Sequence, residues 1–147
     1  MITRSFVTVT ISGDDFDVGD IDSNTLPHPL ILERKIKKGD SASRGRYKGG
    51  NYPYGLIDIS TSHEDHEDYN IRAFAILDWT LANIQLLKDR NCDHVSLYIT
   101  SLYEAQCNLA FDLNVIDRVS EIGKHIKISF ALTCGEDTEF KNENKTD

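Results

Sequence analysis

The most metal-like segment of the chain is residues 63–68, which read His-Glu-Asp-His-Glu-Asp. A thermolysin-type zinc site places two histidines four residues apart on one helix, so that both rings reach the same ion, with a glutamate beside the first. Here His66 comes three residues after His63, and the segment precedes a helical pattern instead of lying within it. We therefore interpret the segment as a helix start, where acidic side chains favour the positive end of the helix dipole. Its acidic members are Glu64, Asp65, Glu67 and Asp68.

A second acidic group follows the first apolar segment and could supply oxygen ligands to a hard cation such as calcium. An EF-hand loop needs a glycine at its sixth position and a glutamate at its twelfth. A loop that starts at Asp15 has Leu26 at the twelfth position, and a loop that starts at Asp14 has Thr25 there. We therefore predict helix capping and solvated charge for this group, and no metal site. The members of the group are Asp14, Asp15, Asp17, Asp20 and Asp22.

Basic and aromatic residues are interleaved in the middle of the chain, as they are in proteins that bind single-stranded nucleic acid. Residues 31–50 contain seven bases and two acids, a net charge of +5, and the rest of the chain carries −13. That negative remainder would repel a phosphate backbone from most directions. An exposed hairpin loop is the other interpretation of this run. Its members are Arg34, Lys35, Lys37, Lys38, Arg44, Arg46, Tyr47, Lys48, Tyr52 and Tyr54.

Nucleophilic chemistry has one weak candidate, Cys92, which lies two residues before His94. Residues two apart point the same way only where both lie on a strand. The spacings of Cys92, Cys107 and Cys134 match neither a disulfide framework nor a zinc motif, so we expect reduced, buried thiols. The glycines of residues 45–50 match no phosphate-binding pattern. The sequence therefore predicts no catalytic residue and no cofactor.

Length and composition are those of a single domain. The chain has 147 residues, a net charge of −8, 39% hydrophobic residues and 27% charged residues. A chain of this size buries about two-thirds of its unfolded surface, which is enough for one core without metal or disulfides. No apolar run approaches the roughly 20 residues of a membrane-spanning helix, and the N-terminal residues alternate instead of forming a signal peptide. We expect a cytoplasmic domain at residues 1–134 and a polar, flexible tail at 135–147.

Hydrophobic periodicity predicts an α+β fold with about six strands. The strongest helical pattern covers residues 68–90, a shorter one ends at Gly123, and a third short helix could be capped by the aspartates and anchored by Phe16 and Ile21. We expect a mainly antiparallel sheet with the long helix packed on one face, and the fourth and fifth strands paired as a hairpin. Residues 37–55 are rich in glycine and predict a long loop. The predicted strands are 5–11, 28–36, 56–62, 95–99, 107–111 and 126–132.

Two short motifs resemble those of the DUF4279 family, a group of small bacterial domains of undefined function. The first is Ser12-Gly13-Asp14-Asp15-Phe16-Asp17, directly after a predicted strand, and the second is Lys38-Gly39-Asp40, which precedes a glycine-rich stretch. The resemblance extends in element order over residues 5–132, and Val18-Gly19 stands where a Pro-Glu pair is expected. It implies a fold and a bacterial origin, and it implies no reaction.

The acidic excess favours a protein-binding module that captures a basic partner. Charge of one sign raises encounter rates and selects partners of the opposite sign. A nuclease toxin carries positive charge to hold nucleic acid, so its immunity protein tends to be acidic. We expect a non-catalytic inhibitor of a polymorphic or contact-dependent toxin, which acts by occlusion through both acidic groups. An RNA-associated factor that binds through loop 34–54 is the alternative, and an enzyme with dispersed active-site residues is a third.

Overall fold

The fold is a five-stranded sheet with helices packed against it. The computed structural model describes residues 2–61, 68–104 and 109–136. The strands lie in the order β2-β3-β1-β4-β5, and all neighbours are antiparallel except β4 and β5. The predicted α+β class and mainly antiparallel sheet are therefore confirmed. The elements are β1 (Ile2–Gly13), β2 (Leu30–Ile36), β3 (Gly55–Thr61), α1 (Tyr69–Ala82), α2 (Ile84–Asp89), β4 (His94–Tyr103), α3 (Leu113–Gly123) and β5 (Lys127–Glu136).

The core lies between one face of the sheet and the helices. The central strand β1 alternates between buried and more exposed residues, and Val7, Val9 and Ile11 are buried. Helix α1 packs on β1 and β3 and contributes Ile76 and Leu77 to the core, and α3 packs on α1 and β5. Among the described residues, no helix is long and apolar enough to cross a membrane.

The predicted long helix over 68–90 is two helices. Helix α1 ends at Ala82 and α2 begins at Ile84, with Asn83 between them at φ −108° and ψ 16°. The Asn83 side-chain amide donates to the Trp79 carbonyl at 2.9 Å, a bond that competes with helix continuation. The apolar spacing continues across the break because Leu87 in α2 is still buried in the core. Periodicity alone therefore does not reveal the interruption.

Two other predicted elements are wrong. The short helix after β1 is absent, since residues 14–25 form turns and irregular chain. The predicted hairpin between the fourth strand and a strand at 107–111 does not form, because β4 is bordered by β1 and β5. Residues 109–111 are irregular, and Cys107 lies outside the described residues. Helix α3 carries the chain from β4 back to a parallel neighbour, so the sheet has five strands instead of six. The predicted tail begins inside β5, and its residues from 137 onward are not described.

A bulge in β2 separates Arg34 from the apolar residues Leu30 and Leu32, whose alternating spacing it shares in the sequence. Leu32 pairs with Ile59, whereas Arg34 pairs with Asp58, so one residue is inserted between them. The insertion turns Arg34 to the face of Asp58, and the guanidinium donates to that carboxylate at 2.9 Å. Asp58 also accepts a hydrogen bond from Thr10 on β1. The bulge thus aligns a polar row across three strands on the face opposite the helices.

Only glycine fits at position 55, because the backbone of Phe16 passes very close to it. A Cβ atom built on Gly55 would lie 2.0 Å from the Phe16 carbonyl oxygen, and the same Cβ on Gly50 would meet nothing nearer than 3.5 Å. We expect Gly55→Ala to lower the free energy of unfolding by about 3 kcal/mol or more, because backbone must move. Gly50→Ala is the matched control and should change it by less than about 0.5 kcal/mol. Urea unfolding followed by circular dichroism measures both, and equal stabilities would contradict the close approach.

Candidate functional site

The first acidic group lies on a surface turn that connects β1 to β2. We call residues 14–22 the acidic turn. Phe16, Val18 and Ile21 are buried in the core, whereas the five aspartates between and around them are exposed. Apolar residues therefore anchor the turn while the carboxylates face solvent. The structure places all five residues of the predicted group at the surface, on a turn instead of the expected helix.

The acidic turn is fixed where it crosses the end of the sheet. Gly13 pairs with Gly55, and the Phe16 backbone passes over this pair at a distance that leaves no room for a side chain on Gly55. The Asp17 amide donates to the Arg90 carbonyl at 2.9 Å, which joins the turn to the chain after α2. These contacts hold the backbone that carries the aspartates.

Two carboxylates of the turn form ion pairs with basic side chains that are distant in sequence. Asp15 accepts from the Lys38 ammonium at 2.7 Å, and Asp20 accepts from the Arg90 guanidinium at 2.8 Å. The hydrogen bond and charge of Arg90 lower the pKa of Asp20 below its ordinary value. Asp20 is therefore ionised at neutral pH, and both pairs remain open to solvent.

Two other carboxylates of the turn stabilise local backbone. Asp17 accepts from the Gly19 amide at 2.9 Å, and Asp22 accepts from the Asn24 amide at 2.9 Å. These bonds are the side-chain turns that aspartate commonly forms in irregular chain. They fix the direction of each carboxylate while leaving acceptor positions open toward solvent, since both residues are exposed.

A wide cleft of about 720 Å³ lies beside the acidic turn. It is lined by Asp14, Asp15 and Asp93 together with Lys88 and His125. Both signs of charge are present, so the cleft itself is not an acidic pocket. Asp14 and Asp15 therefore belong both to the acidic turn and to the rim of this cleft.

Cys92 lines the same cleft but is a poor nucleophile. The residue is buried, and burial raises the pKa of its thiol to about 11. Its sulfur lies 3.8 Å from the His94 carbonyl oxygen, and the His94 ring contacts a different residue. The predicted burial of Cys92 is confirmed, whereas Cys134 is exposed on β5, contrary to expectation.

The second acidic group is described only at Asp68. Its carboxylate accepts from the Asn70 amide at 2.8 Å and caps the N-terminus of α1, as the sequence predicts. Glu64, Asp65 and Glu67, with both histidines of that segment, lie outside the described residues. Whether the two acidic groups act together therefore stays a prediction.

The open face of the sheet carries a serine–histidine contact that the sequence does not predict. His94 Nε2 lies 3.0 Å from Ser129 Oγ, and Ser96 Oγ lies 3.2 Å from the same oxygen. These distances are those of a hydroxyl and its base, but neither Ser129 nor His94 lines the cleft beside the acidic turn. No local pattern could reveal the contact, because it depends on the parallel pairing of β4 with β5.

The basic side chains of residues 31–50 form two groups. Some contact other parts of the protein, and the others are exposed to solvent. Lys38 pairs with Asp15, Arg34 pairs with Asp58, and the Lys35 ammonium donates to the Gly19 carbonyl at 3.0 Å. Part of the predicted nucleic-acid surface therefore serves to hold the acidic turn and the sheet. The arginines and tyrosines farther along the loop come together in a separate cleft.

Comparisons with protein-family models, curated proteins and solved structures give no match. Among residues 2–61, 68–104 and 109–136, no three His, Cys, Asp or Glu side chains are grouped closely enough to hold a metal ion.

The raised pKa of Cys92 predicts slow alkylation in the native state. Only the thiolate reacts with iodoacetamide, and a thiol of this pKa is almost fully protonated at neutral pH. We expect modification of Cys92 to be at least about a hundredfold slower than in the urea-unfolded chain. Peptide mass mapping separates Cys92 from the other two cysteines, and rapid native modification of Cys92 would show that its thiol is not buried.

Proposed function

We propose that the protein is a non-catalytic binding module whose acidic turn binds a basic protein partner. The proposal takes the partner to be a nuclease-type toxin and this chain to be its bacterial immunity protein, which acts in the cytoplasm. Inhibition would occur by occlusion, since the bound module covers the cationic surface with which such a toxin holds nucleic acid. Asp14, Asp15, Asp17, Asp20 and Asp22 are the proposed contact residues on the described surface.

The observation that carries the proposal is the anchoring of the acidic turn. Three buried apolar residues and the backbone bond from Asp17 to Arg90 fix the turn, so its carboxylates are exposed on an ordered backbone. Binding to a pre-organised surface loses less conformational entropy than binding to a flexible one. An ordered, charged turn is therefore a better docking surface than an acidic tail of the same composition.

The electrostatic balance of the turn also supports a basic partner. Asp15 and Asp20 are paired with Lys38 and Arg90, whereas among the described residues Asp14, Asp17 and Asp22 form no ion pair. These three negative charges are therefore available to a basic partner. Exposed ion pairs of this kind contribute little stability and can exchange partners. An incoming lysine or arginine can therefore replace an internal base without a large cost.

The cognate toxin provides the direct test. The product of a toxin-sized reading frame next to this gene, made in a catalytically inactive form, is the proposed partner and should co-purify with this chain. We expect Asp15→Lys, Asp17→Lys and Asp20→Lys, combined in one variant, to slow association at low salt by about tenfold, because the steering charge is reversed. Stopped-flow mixing measures the association rate.

A matched variant controls for net charge. Asp78→Lys, Asp117→Lys and Glu121→Lys change the charge by the same amount on α1 and α3, far from the acidic turn along the chain. We expect this control to slow association by less than about threefold. An unchanged rate in the acidic-turn variant, or equal slowing in both variants, would reject the acidic turn as the contact surface.

A further inference from the structure

The loop between β2 and β3 has a folded structure of its own. Ser41 and Asn51 form an isolated bridge, and the Ala42 amide donates to the Gly50 carbonyl at 2.9 Å. Within the loop, Ala42 is buried. Gly45 adopts a φ of +79°, a left-handed conformation that glycine reaches without strain. The loop therefore presents its side chains in a defined arrangement.

Three tyrosines form a triangle on this loop. Tyr47 lies 6.1 Å from Tyr52 and 5.8 Å from Tyr54 between ring centroids, and Tyr52 lies 5.8 Å from Tyr54. The contacts are edge-to-face or tilted, which are the favoured geometries of aromatic pairs. All three residues are only half-buried, so parts of the rings remain open to solvent. The cluster thus forms an aromatic surface that a planar ligand can contact.

Three arginines lie next to the tyrosines. The Arg46 guanidinium lies 5.7 Å from the Tyr47 ring centroid, within the range of a cation–π interaction. Arg34 is directed by its ion pair with Asp58 at the base of the loop. Among the described residues, no carboxylate lies within ion-pair distance of Arg44 or Arg46. Their charges are therefore available to a ligand.

These six residues line one open cleft of about 580 Å³, and no acidic residue lines it. The volume is within the range of small-molecule sites. From this geometry we propose that the cleft, here called the tyrosine–arginine cleft, binds a nucleotide through its phosphate and its base. The lining side chains are Arg34, Arg44, Arg46, Tyr47, Tyr52 and Tyr54.

The combination of side chains selects a nucleotide over other anions. Guanidinium groups bind phosphate through two parallel hydrogen bonds, and Arg44 and Arg46 supply two such groups. Tyrosine rings stack on nucleobases with little regard to base identity. An acidic peptide would satisfy the arginines alone and leave the aromatic surface unused. The nucleotide is either free or part of a single strand, since both present the same phosphate and base.

The acidic turn is not part of this cleft, so this inference goes beyond the protein-binding proposal and either can fail alone. Lys35, near the end of β2, and Lys38, at the start of the loop, contact the acidic turn instead of the cleft. The lysines at the start of the basic run thus contact the acidic turn, whereas the arginines farther along line the cleft. A ligand at the tyrosine–arginine cleft leaves Asp14, Asp17 and Asp22 exposed for a partner.

Fluorescence anisotropy with a short labelled oligouridylate tests the site, with unlabelled uridine monophosphate and polyglutamate as competitors. We expect the oligonucleotide to bind the whole chain and uridine monophosphate to compete with it. If uridine monophosphate displaces the oligonucleotide at an equal concentration of nucleotides, the site binds free nucleotide. If uridine monophosphate competes much more weakly, the site binds a single strand. Both results support the cleft as a nucleotide site. Equal competition by polyglutamate would overturn the proposal, because charge alone would then explain binding.

Paired variants locate the site. Arg44→Ala combined with Arg46→Ala should weaken binding by about tenfold or more and reduce the slope of log affinity against log salt by about 1.4, as for two lost contacts with single-strand phosphates. Lys37→Ala combined with Lys48→Ala removes the same charge from the same loop outside this cleft and should weaken binding by less than about threefold. Equal losses in both double variants, or no binding by the unmodified chain, would overturn the proposal.

An aromatic variant tests the stacking contribution separately from charge. Tyr47→Ala removes the ring that contacts both other tyrosines and Arg46, without changing the net charge. We expect affinity to fall by about tenfold while the salt slope stays the same. Thermal unfolding confirms that each variant is folded. Unchanged affinity in folded Tyr47→Ala would contradict a stacking role and overturn the proposed nucleotide site.

Discussion

The close approach of the Phe16 backbone to Gly55 is the constraint on which the acidic turn depends. A side chain at Gly55 would collide with the Phe16 carbonyl, and a Cβ on Gly13 would lie 2.6 Å from the Asn91 carbonyl oxygen. Glycine at both positions lets the chain cross the end of the sheet in contact with it. Phe16 then enters the core, and the aspartates on either side are left at the surface.

Basic side chains contact this turn from the end of β2 and from the loop after it. Lys38 pairs with Asp15, and Lys35 donates to the Gly19 carbonyl, so the basic and acidic segments hold each other in place. Arg44 and Arg46 extend beyond these contacts and lie beside the tyrosine cluster. The charge asymmetry that is visible in the sequence therefore becomes two separate surfaces, one acidic and one basic with aromatic rings.

The sequence predicts the parts of the fold whose periodicity is strong. The alternation of Val7, Val9 and Ile11 identifies the central strand, and the helical spacing after residue 68 identifies α1. It misses features that depend on tertiary contacts: the break at Asn83, the bulge before Arg34 and the parallel pairing of β5. The aspartates of residues 14–22 predict a helix cap, whereas the close approach of the Phe16 backbone to Gly55 favours a turn in this segment. Composition identified both charged groups, whereas only the structure shows which bases have internal partners.

The central claim is that the acidic turn is the surface that meets a basic partner. Hydrogen exchange of the chain, alone and with an inactive form of the proposed toxin partner, tests it most directly. The account predicts slower exchange of the backbone amides of residues 14–22 in the complex, because a bound partner covers the turn and limits its opening. Protection confined to α1, α3 or β5, with the turn unchanged, would contradict it.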